Sequence, residues 1–213
     1  MPSSRSWCGW MSGAAALAGL AISAHGAVIW NENLDGNLSA SQSAPTPLTL
    51  SLSTNSIIGT VGTGKTADWV ALTVPAGTEM TNIFLASYAS TDSQGFTGFQ
   101  AGSSFVGNPE TSASAYEGYA HYGTNATNGS LPPANLVGAD LMPIMANPSA
   151  DPGATGFTPP LAAGTYTFLI QQLGATTNFQ FDYDVSPVPE PTGLAATGAG
   201  VFALLARRRN RRC

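Results

Sequence analysis

Basic residues are scarce between the two ends of this sequence. The 213 residues include seven Lys and Arg, of which only Lys65 lies between Val28 and Ser186. The same region holds eleven acidic residues, so its net charge is −10. Because nucleic-acid binding depends on Lys and Arg that neutralise phosphates, this balance excludes a nucleic-acid partner. It also disfavours binding to anionic membranes and favours solubility.

Cysteine and histidine are almost as scarce. Cys8 and Cys213 lie in the terminal segments, so the region between them has no disulfide, thiolate metal site or cysteine nucleophile. His121 is the only histidine after residue 25, which excludes a zinc site built from several histidines. A nucleophile usually needs a base beside it, and no serine stands in a Gly-x-Ser-x-Gly setting. We therefore predict no catalytic residues and a non-enzymatic protein.

The C-terminal segment has three consecutive parts. Val188-Pro189-Glu190-Pro191 comes first, and its prolines predict an extended, exposed backbone. The uncharged run from Thr192 to Ala206 has 15 residues, fewer than the roughly 20 of a full membrane span. A basic stop follows, which is typical of the cytoplasmic side of a membrane. Its residues are Arg207, Arg208, Arg209, Arg211 and Arg212.

These three parts, in this order, resemble the PEP-CTERM sorting signal of Gram-negative bacteria. The resemblance implies a C-terminal hydrophobic helix that contacts the inner membrane transiently, and cleavage near Pro-Glu-Pro by an exosortase, a membrane transpeptidase-like enzyme. The body would then reach the cell envelope, the outer surface or the medium. An ordinary C-terminal anchor is the alternative, but it leaves Pro189-Glu190-Pro191 unexplained.

The N-terminal segment, residues 1–26, is typical of a secretory signal peptide. Arg5 provides the charged start, and Gly13 to Ile22 is a short apolar run. Cleavage after Gly26 would place Ala24 and Gly26 at the two critical positions, and cleavage after Ala27 is the alternative. The implied partners are signal peptidase and the secretion machinery.

Between these ends, apolar residues recur with period 2 and predict an all-β protein. We divide the chain into a leader at 27–47 that donates an edge strand, an antiparallel β-sandwich at 48–186, and the sorting tail at 187–213. Asn55-Ser56 predicts a turn, residues 136–145 a strand or short helix, and residues 147–160 a loop. The predicted strands are 48–52, 57–61, 68–74, 80–88, 96–101, 164–172 and 178–185.

Two segments of the predicted sandwich resemble bacterial pre-peptidase C-terminal domains. The first is Asp68 to Thr78, which ends in Val-Pro-Ala-Gly-Thr, and the second is Leu161 to Phe168, which contains Ala-Gly-Thr-Tyr-Thr. Those domains are small, jelly-roll-like β-sandwiches that accompany secreted enzymes. The resemblance implies that architecture here.

Carboxylates are the only candidate metal ligands. Asp182 and Asp184 share one strand face, which we interpret as a solvated surface that limits aggregation. The alternative is a calcium site, since calcium prefers oxygen ligands. Asp68, Asp92, Asp140 and Asp151 are the further candidates, although no EF-hand pattern is present. We therefore predict no cofactor, with calcium as the alternative.

Three functions remain open for the body. We favour a non-enzymatic surface or extracellular-matrix protein. The first alternative is a carbohydrate-binding module for extracellular polysaccharide, in which Trp30, Trp69 and the tyrosines stack on sugars. The second is a secreted hydrolase or its accessory domain, for which Glu110 and Glu117 are the candidate carboxylate pair.

Overall fold

The computed structural model describes residues 26–189. Ala24 of the predicted signal peptidase site lies outside the described residues. Glu190, Pro191, the hydrophobic helix and the five arginines of the predicted sorting tail lie outside them as well. Gly26, Ala27, Val188 and Pro189 lie inside. No helix within the described range is long and apolar enough to cross a membrane.

β-Strands are the main regular structure of the described chain, as the period-2 patterns predict. Two four-residue helices accompany them, α1 (Glu32–Asp35) and α2 (Met142–Met145). The strands are β1 (Ala27–Asn31), β2 (Thr46–Thr49), β3 (Ser53–Val61), β4 (Ala67–Val74), β5 (Thr78–Ala89), β6 (Gln94–Ala101), β7 (Gly118–Gly123), β8 (Gly164–Gln171) and β9 (Thr177–Pro187).

The strands form two sheets. Sheet I has the order β1-β3-β9-β5, and sheet II has the order β2-β4-β8-β6-β7. The prediction of purely antiparallel sheets is wrong, because β1 pairs with β3 and β2 pairs with β4 in parallel. A parallel pair needs a long crossover connection, and residues 32–52 provide one between β1 and β3. β1 lies in the predicted leader, β2 spans the predicted boundary between the leader and the sandwich, and each lies at the edge of its sheet.

One continuous core lies between the two sheets. Sheet I contributes the inward side chains Phe179, Phe181, Tyr183 and Val185 of β9, which confirms the predicted alternation. Sheet II contributes alternate residues of β4 and β8 to the same cluster. These residues are Val70, Leu72, Val74, Phe168 and Ile170. The arrangement is a β-sandwich.

The predicted turn at Asn55-Ser56 is wrong, because both residues lie in β3. The Asn55 side chain instead holds the bend before the strand. Its Nδ2 donates to Ser51 O at 2.8 Å and to Ser53 O at 2.9 Å. Asn55 therefore makes the local hydrogen bonds to the backbone that are expected of a turn former. It does so from within β3, after the bend, and not from the bend itself.

The polar face of β9 has a different role from the one predicted. β9 lies between β3 and β5, so Asp182 and Asp184 do not protect a sheet edge. Ser56 Oγ donates to Asp182 Oδ1 at 2.6 Å, and Thr54 Oγ1 donates to Asp184 Oδ1 at 2.6 Å. The two carboxylates thus join β9 to β3 on the outer face of sheet I.

The region between β7 and β8 is irregular. Within the predicted strand or short helix at 136–145, the helical alternative is confirmed by α2, and Asp140 forms an isolated bridge with Phe84 of β5. Residues 147–160 form the predicted loop. Tyr119 and Tyr122 lie on opposite sides of β7, half-buried and buried respectively, because the segment is a strand.

Candidate ligand pocket

A row of three side chains crosses the outer face of sheet II. Phe96 of β6 is directly opposite His121 of β7, and it is also directly opposite Gln171 of β8. All three residues are half-buried. Directly opposed residues on one face are close enough to interact. The strand register therefore assembles an amide, a phenyl ring and an imidazole from three distant parts of the sequence.

An aromatic cluster supports this row. The Phe96 ring has its centroid 5.5 Å from those of Tyr116, Tyr119 and His121. Beneath it, Phe105 lies 5.1 Å from Trp69 and 4.9 Å from Tyr116 by ring centroids. Trp69, Phe105 and Tyr116 are buried, so they fix the position of the more exposed rings above them.

The segment from residue 102 to residue 117 folds over the sheet and forms one wall of the pocket. Gln100 holds it through three hydrogen bonds. Its Nε2 donates to Val106 O at 3.2 Å and to Ala115 O at 2.8 Å, and its Oε1 accepts from Val106 N at 2.8 Å. Tyr116 Oη also donates to Pro109 O at 2.9 Å. These bonds place Pro109 and the residue that follows it, Glu110, beside the row.

Glu110 completes the polar lining. Gln171 Nε2 donates to Glu110 Oε1 at 2.8 Å, and Gln94 Oε1 accepts from Thr127 N at 2.9 Å. The buried Gln172 donates to Gln94 O at 2.8 Å, which fixes the start of β6. The volume of the pocket is about 290 Å³. Its lining residues are Gln94, Gly95, Phe96, Pro109, Glu110, His121, Gln171, Gln172 and Leu173.

His121 presents a neutral imidazole to this pocket at neutral pH. Burial lowers the pKa of His121, and a backbone hydrogen bond with Thr127 partly opposes that shift. A neutral imidazole carries one donor and one acceptor. Glu110 is exposed and adds a carboxylate. The pocket thus combines one apolar ring with amide, imidazole and carboxylate groups, which suits an uncharged ligand rich in hydroxyl groups.

The two carboxylates of the predicted pair, Glu110 and Glu117, make different hydrogen bonds. Glu110 accepts from Gln171, whereas Glu117 Oε1 accepts from Ala101 N at 3.2 Å. Burial raises the pKa of Tyr116 and of Tyr166, and the nearby carboxylate adds to each shift, Glu110 for Tyr116 and Glu117 for Tyr166. The two carboxylates therefore serve different contacts.

The candidate calcium ligands are also separate. Asp92 Oδ2 accepts from Ala175 N at 2.6 Å, and Asp140 accepts from Asn82 Nδ2 at 2.8 Å and from Ile83 N at 3.0 Å. Asp151 is buried in the 147–160 loop, and burial raises its pKa to about 6. Within residues 26–189, no three His, Cys, Asp or Glu side chains form a group that could hold a metal ion.

Trp30 and Trp69 do not provide an exposed stacking surface. Trp69 is buried against Phe105, and Trp30 is half-buried at the edge of sheet I, where its Nε1 donates to Gly36 O at 3.1 Å. The aromatic face of the pocket comes from Phe96 instead. Sequence patterns alone did not single out Gln94, Phe96 or Gln171, because only the strand register brings them together.

The terminal residues inside the described range lie at the surface. Gly26 and Ala27 are exposed, and β1 starts at Ala27. At the other end, β9 ends at Pro187, Val188 N donates to Gly77 O at 3.0 Å, and Val188 and Pro189 are exposed.

No protein family matches this chain, and no curated protein or solved structure matches it either.

Proposed function

We propose that this chain is an exported, non-enzymatic surface or matrix protein that is sorted and cleaved through its C-terminal segment. The observation that carries the proposal is the position of the motif Val188-Pro189-Glu190-Pro191. β9 is the last strand of the described chain, and Val188 and Pro189 follow it as exposed residues. A processing enzyme binds an extended, exposed backbone of this kind. Because the cut would lie after the last strand, it would leave the sandwich intact.

The N-terminal end supports export in the same way. β1 starts at Ala27, directly after the proposed cleavage at Gly26. Signal peptidase would therefore release a chain whose first residues enter sheet I at its edge. Signal peptidase, the secretion machinery and an exosortase-like enzyme are the proposed partners.

The strand order supports a jelly-roll-like form of the sandwich. β3, β9 and β5 are neighbours in sheet I, while β4, β8, β6 and β7 are neighbours in sheet II. This interleaving of early and late strands is expected when two Greek keys share a core. The two segments that resemble pre-peptidase C-terminal domains contribute the neighbouring strands β4 and β8.

The processing proposal predicts a defined effect of changing the motif. In cells that contain the processing enzyme, we expect Pro189→Ala/Pro191→Ala to retain the C-terminal segment, because both rings that hold the substrate extended are lost. Intact mass of the exported protein gives the C-terminus directly. A matched control, Pro45→Ala/Pro47→Ala, leaves the motif untouched and is expected to be processed normally.

A second candidate function, carbohydrate binding, is favoured by the pocket on sheet II. Phe96 offers a ring for an apolar sugar face, and Gln171, Glu110 and His121 offer groups for hydroxyls. The chemistry favours neutral or weakly polar chains of the extracellular polysaccharide, because the body carries a charge of −10.

The carbohydrate proposal predicts loss of binding in Phe96→Ala and Gln171→Ala. We expect the dissociation constant of each variant to be at least tenfold larger, because a good contact contributes about 1.4 kcal/mol or more to the binding free energy. Calorimetry with defined neutral oligosaccharides and with the producer's own extracellular polysaccharide measures it. Phe84→Ala is the matched control, since Phe84 is half-buried on the outer face of sheet I. Equal binding by all four proteins would contradict a role for the pocket.

A further inference from the structure

The only lysine of the chain lies between two carboxylates. Lys65 Nζ is 2.8 Å from Asp68 Oδ1 and is also in direct contact with Glu32 Oε1. Lys65 is close to the start of β4, Asp68 is within β4, and Glu32 is in α1. The leader and the body thus meet at one ammonium group.

This cluster is enclosed. The side chains of Asp68 and Glu32 are 0% and 7% exposed, and that of Lys65 is 21% exposed. Asp68 Oδ2 has no hydrogen-bond donor among the described residues. An unpaired oxygen at a fully buried position is costly. The simple ion pair therefore leaves the Asp68 carboxyl group unsatisfied.

Glu32 is held rigidly beside the other two groups. Its Oε1 accepts from Leu38 N at 2.7 Å, and its Oε2 accepts from Thr60 N at 2.7 Å. Gly59 makes room for it, because a side chain there would meet Glu32 Oε2 at 3.1 Å and the Phe179 ring at 2.6 Å. A fixed carboxylate next to an amine can accept and return protons.

We propose that Lys65 and Asp68 form an intramolecular amide bond, with Glu32 as the proton carrier. A C–O bond is about 1.2 Å long, so the 2.8 Å contact places Asp68 Cγ within about 4 Å of Lys65 Nζ. That is close to the separation of reacting atoms in a near-attack arrangement. The cross-link is independent of the proposed glycan pocket and of the proposed tail cleavage.

The reaction needs no oxidant or cofactor. Glu32 removes a proton from the Lys65 ammonium group, and the freed Nζ lone pair attacks Cγ of the protonated Asp68 carboxyl group. The N–C bond forms, Glu32 gives its proton to the hydroxyl group on Cγ, and the C–O bond breaks as water leaves. The nitrogen then loses a second proton, which Glu32 accepts. The products are one amide, one water molecule and a protonated Glu32, which releases its proton to solvent.

Burial favours the neutral form of the Asp68 carboxyl group, which is the form that reacts, and it also favours the amide product. Burial raises the pKa of Asp68 to about 7, and nearby Glu32 adds to the shift while Lys65 opposes it. A large share of molecules therefore carries the neutral carboxyl group at neutral pH. The product replaces two buried ions with a neutral amide, which removes the cost of keeping ions out of water.

The chain offers an unusually clear test, because it has one lysine. We expect the full chain, purified after folding and then denatured, to have a mass about 18 Da below that of its sequence after any terminal processing is assigned, since one water is lost. A lysine-specific protease should not cut after Lys65, and an amine-reactive reagent should modify the α-amine only.

Three variants separate the amide from other losses of water. Lys65→Arg and Asp68→Ala are expected to restore the full mass, and Glu32→Gln is expected to slow the mass change at least tenfold after refolding. Glu117→Gln is the control carboxylate variant and should react normally. A wild-type chain with full mass, cleaved after Lys65 and labelled at its ε-amine, would overturn the proposal. A mass loss that persists in Asp68→Ala would also overturn it, because the water would then come from another site.

Discussion

At the residue scale, Lys65 is the group with the most consequences. It is the single cation in an acidic body, and the structure places it against Glu32 and Asp68. In the protein before the amide forms, removing one partner from this buried ion cluster is expected to cost about 3–5 kcal/mol, because the remaining charge stays buried. Lys65 is therefore expected to affect stability far more than its position near a loop suggests.

Lys65→Met makes this testable through pH. Burial raises the pKa of Asp68 to about 7, above its ordinary value of 3.8, so the folded state binds this proton more tightly than the unfolded state. The contribution of Asp68 is greatest below the unfolded pKa and is lost as pH rises through the folded pKa. Without Lys65, which lowers the pKa, we expect the free energy of unfolding to fall from pH 5 to pH 8.

Chemical denaturation at several pH values measures this slope, which cannot exceed about 1.4 kcal/mol per pH unit for one group. Adding Asp68→Asn to Lys65→Met is expected to flatten it. A Lys65→Met protein with the same stability at pH 5 and pH 8 would contradict the assigned burial of Asp68.

Asn55 and Lys65 show how much of the structure can be predicted from single residues of the sequence. The interpretation of Asn55 as a turn former identified its chemistry, but the structure uses that chemistry to support the bend at residues 51–53. For Lys65, the signal was its isolation in an acidic segment, which marks a cation with a specific partner. Which carboxylates it meets depends on the fold, since Glu32 lies 33 residues away.

At the element scale, strands with strict alternation were predictable. β9 carries Phe179, Phe181, Tyr183 and Val185 on its inner face, and burial on that side follows directly from the period. The parallel pairing of β1 with β3 and of β2 with β4 was not predictable, because short polar segments contain no information about strand direction. The pocket could not be predicted from the sequence either, since its lining residues come together only through the register of β6, β7 and β8.

The wall of the pocket is an element in which one side chain, Gln100, makes three of the hydrogen bonds. We expect Gln100→Ala to lower the free energy of unfolding by about 1–3 kcal/mol, because three hydrogen bonds are lost and backbone groups lose their partner. Amide hydrogen exchange should also accelerate in residues 105–110. Gln180→Ala is the control, since Gln180 donates to Asp182 at 2.8 Å on the outer face of sheet I.

Unchanged exchange in the wall of Gln100→Ala would show that the segment is held by other contacts. The buried ring of Phe105, or the bond from Phe105 N to Gln42 O at 2.9 Å, would then be the main support. If the wall loosens as expected, oligosaccharide binding should weaken as well, because Glu110 would no longer be fixed beside Gln171.

At the scale of the whole molecule, the two end segments and the sandwich are consistent with one proposed pathway of export followed by processing. The apolar segments predict passage to and across a membrane, and the body between them is acidic and contains no cysteine. The fold starts at Ala27 and ends at Pro187, next to both proposed cleavage sites. Processing would therefore separate the sandwich from its sorting segments without breaking a strand.

The most direct test of this account is the intact mass of the exported protein in cells with and without the exosortase-like enzyme. We predict a chain that starts at Ala27 or Val28 and ends near Pro189 to Pro191 when the enzyme is present. Without the enzyme, the mass should include Arg207 to Cys213. A mass that retains this segment in both strains would contradict sorting and cleavage, and would favour a permanently anchored protein.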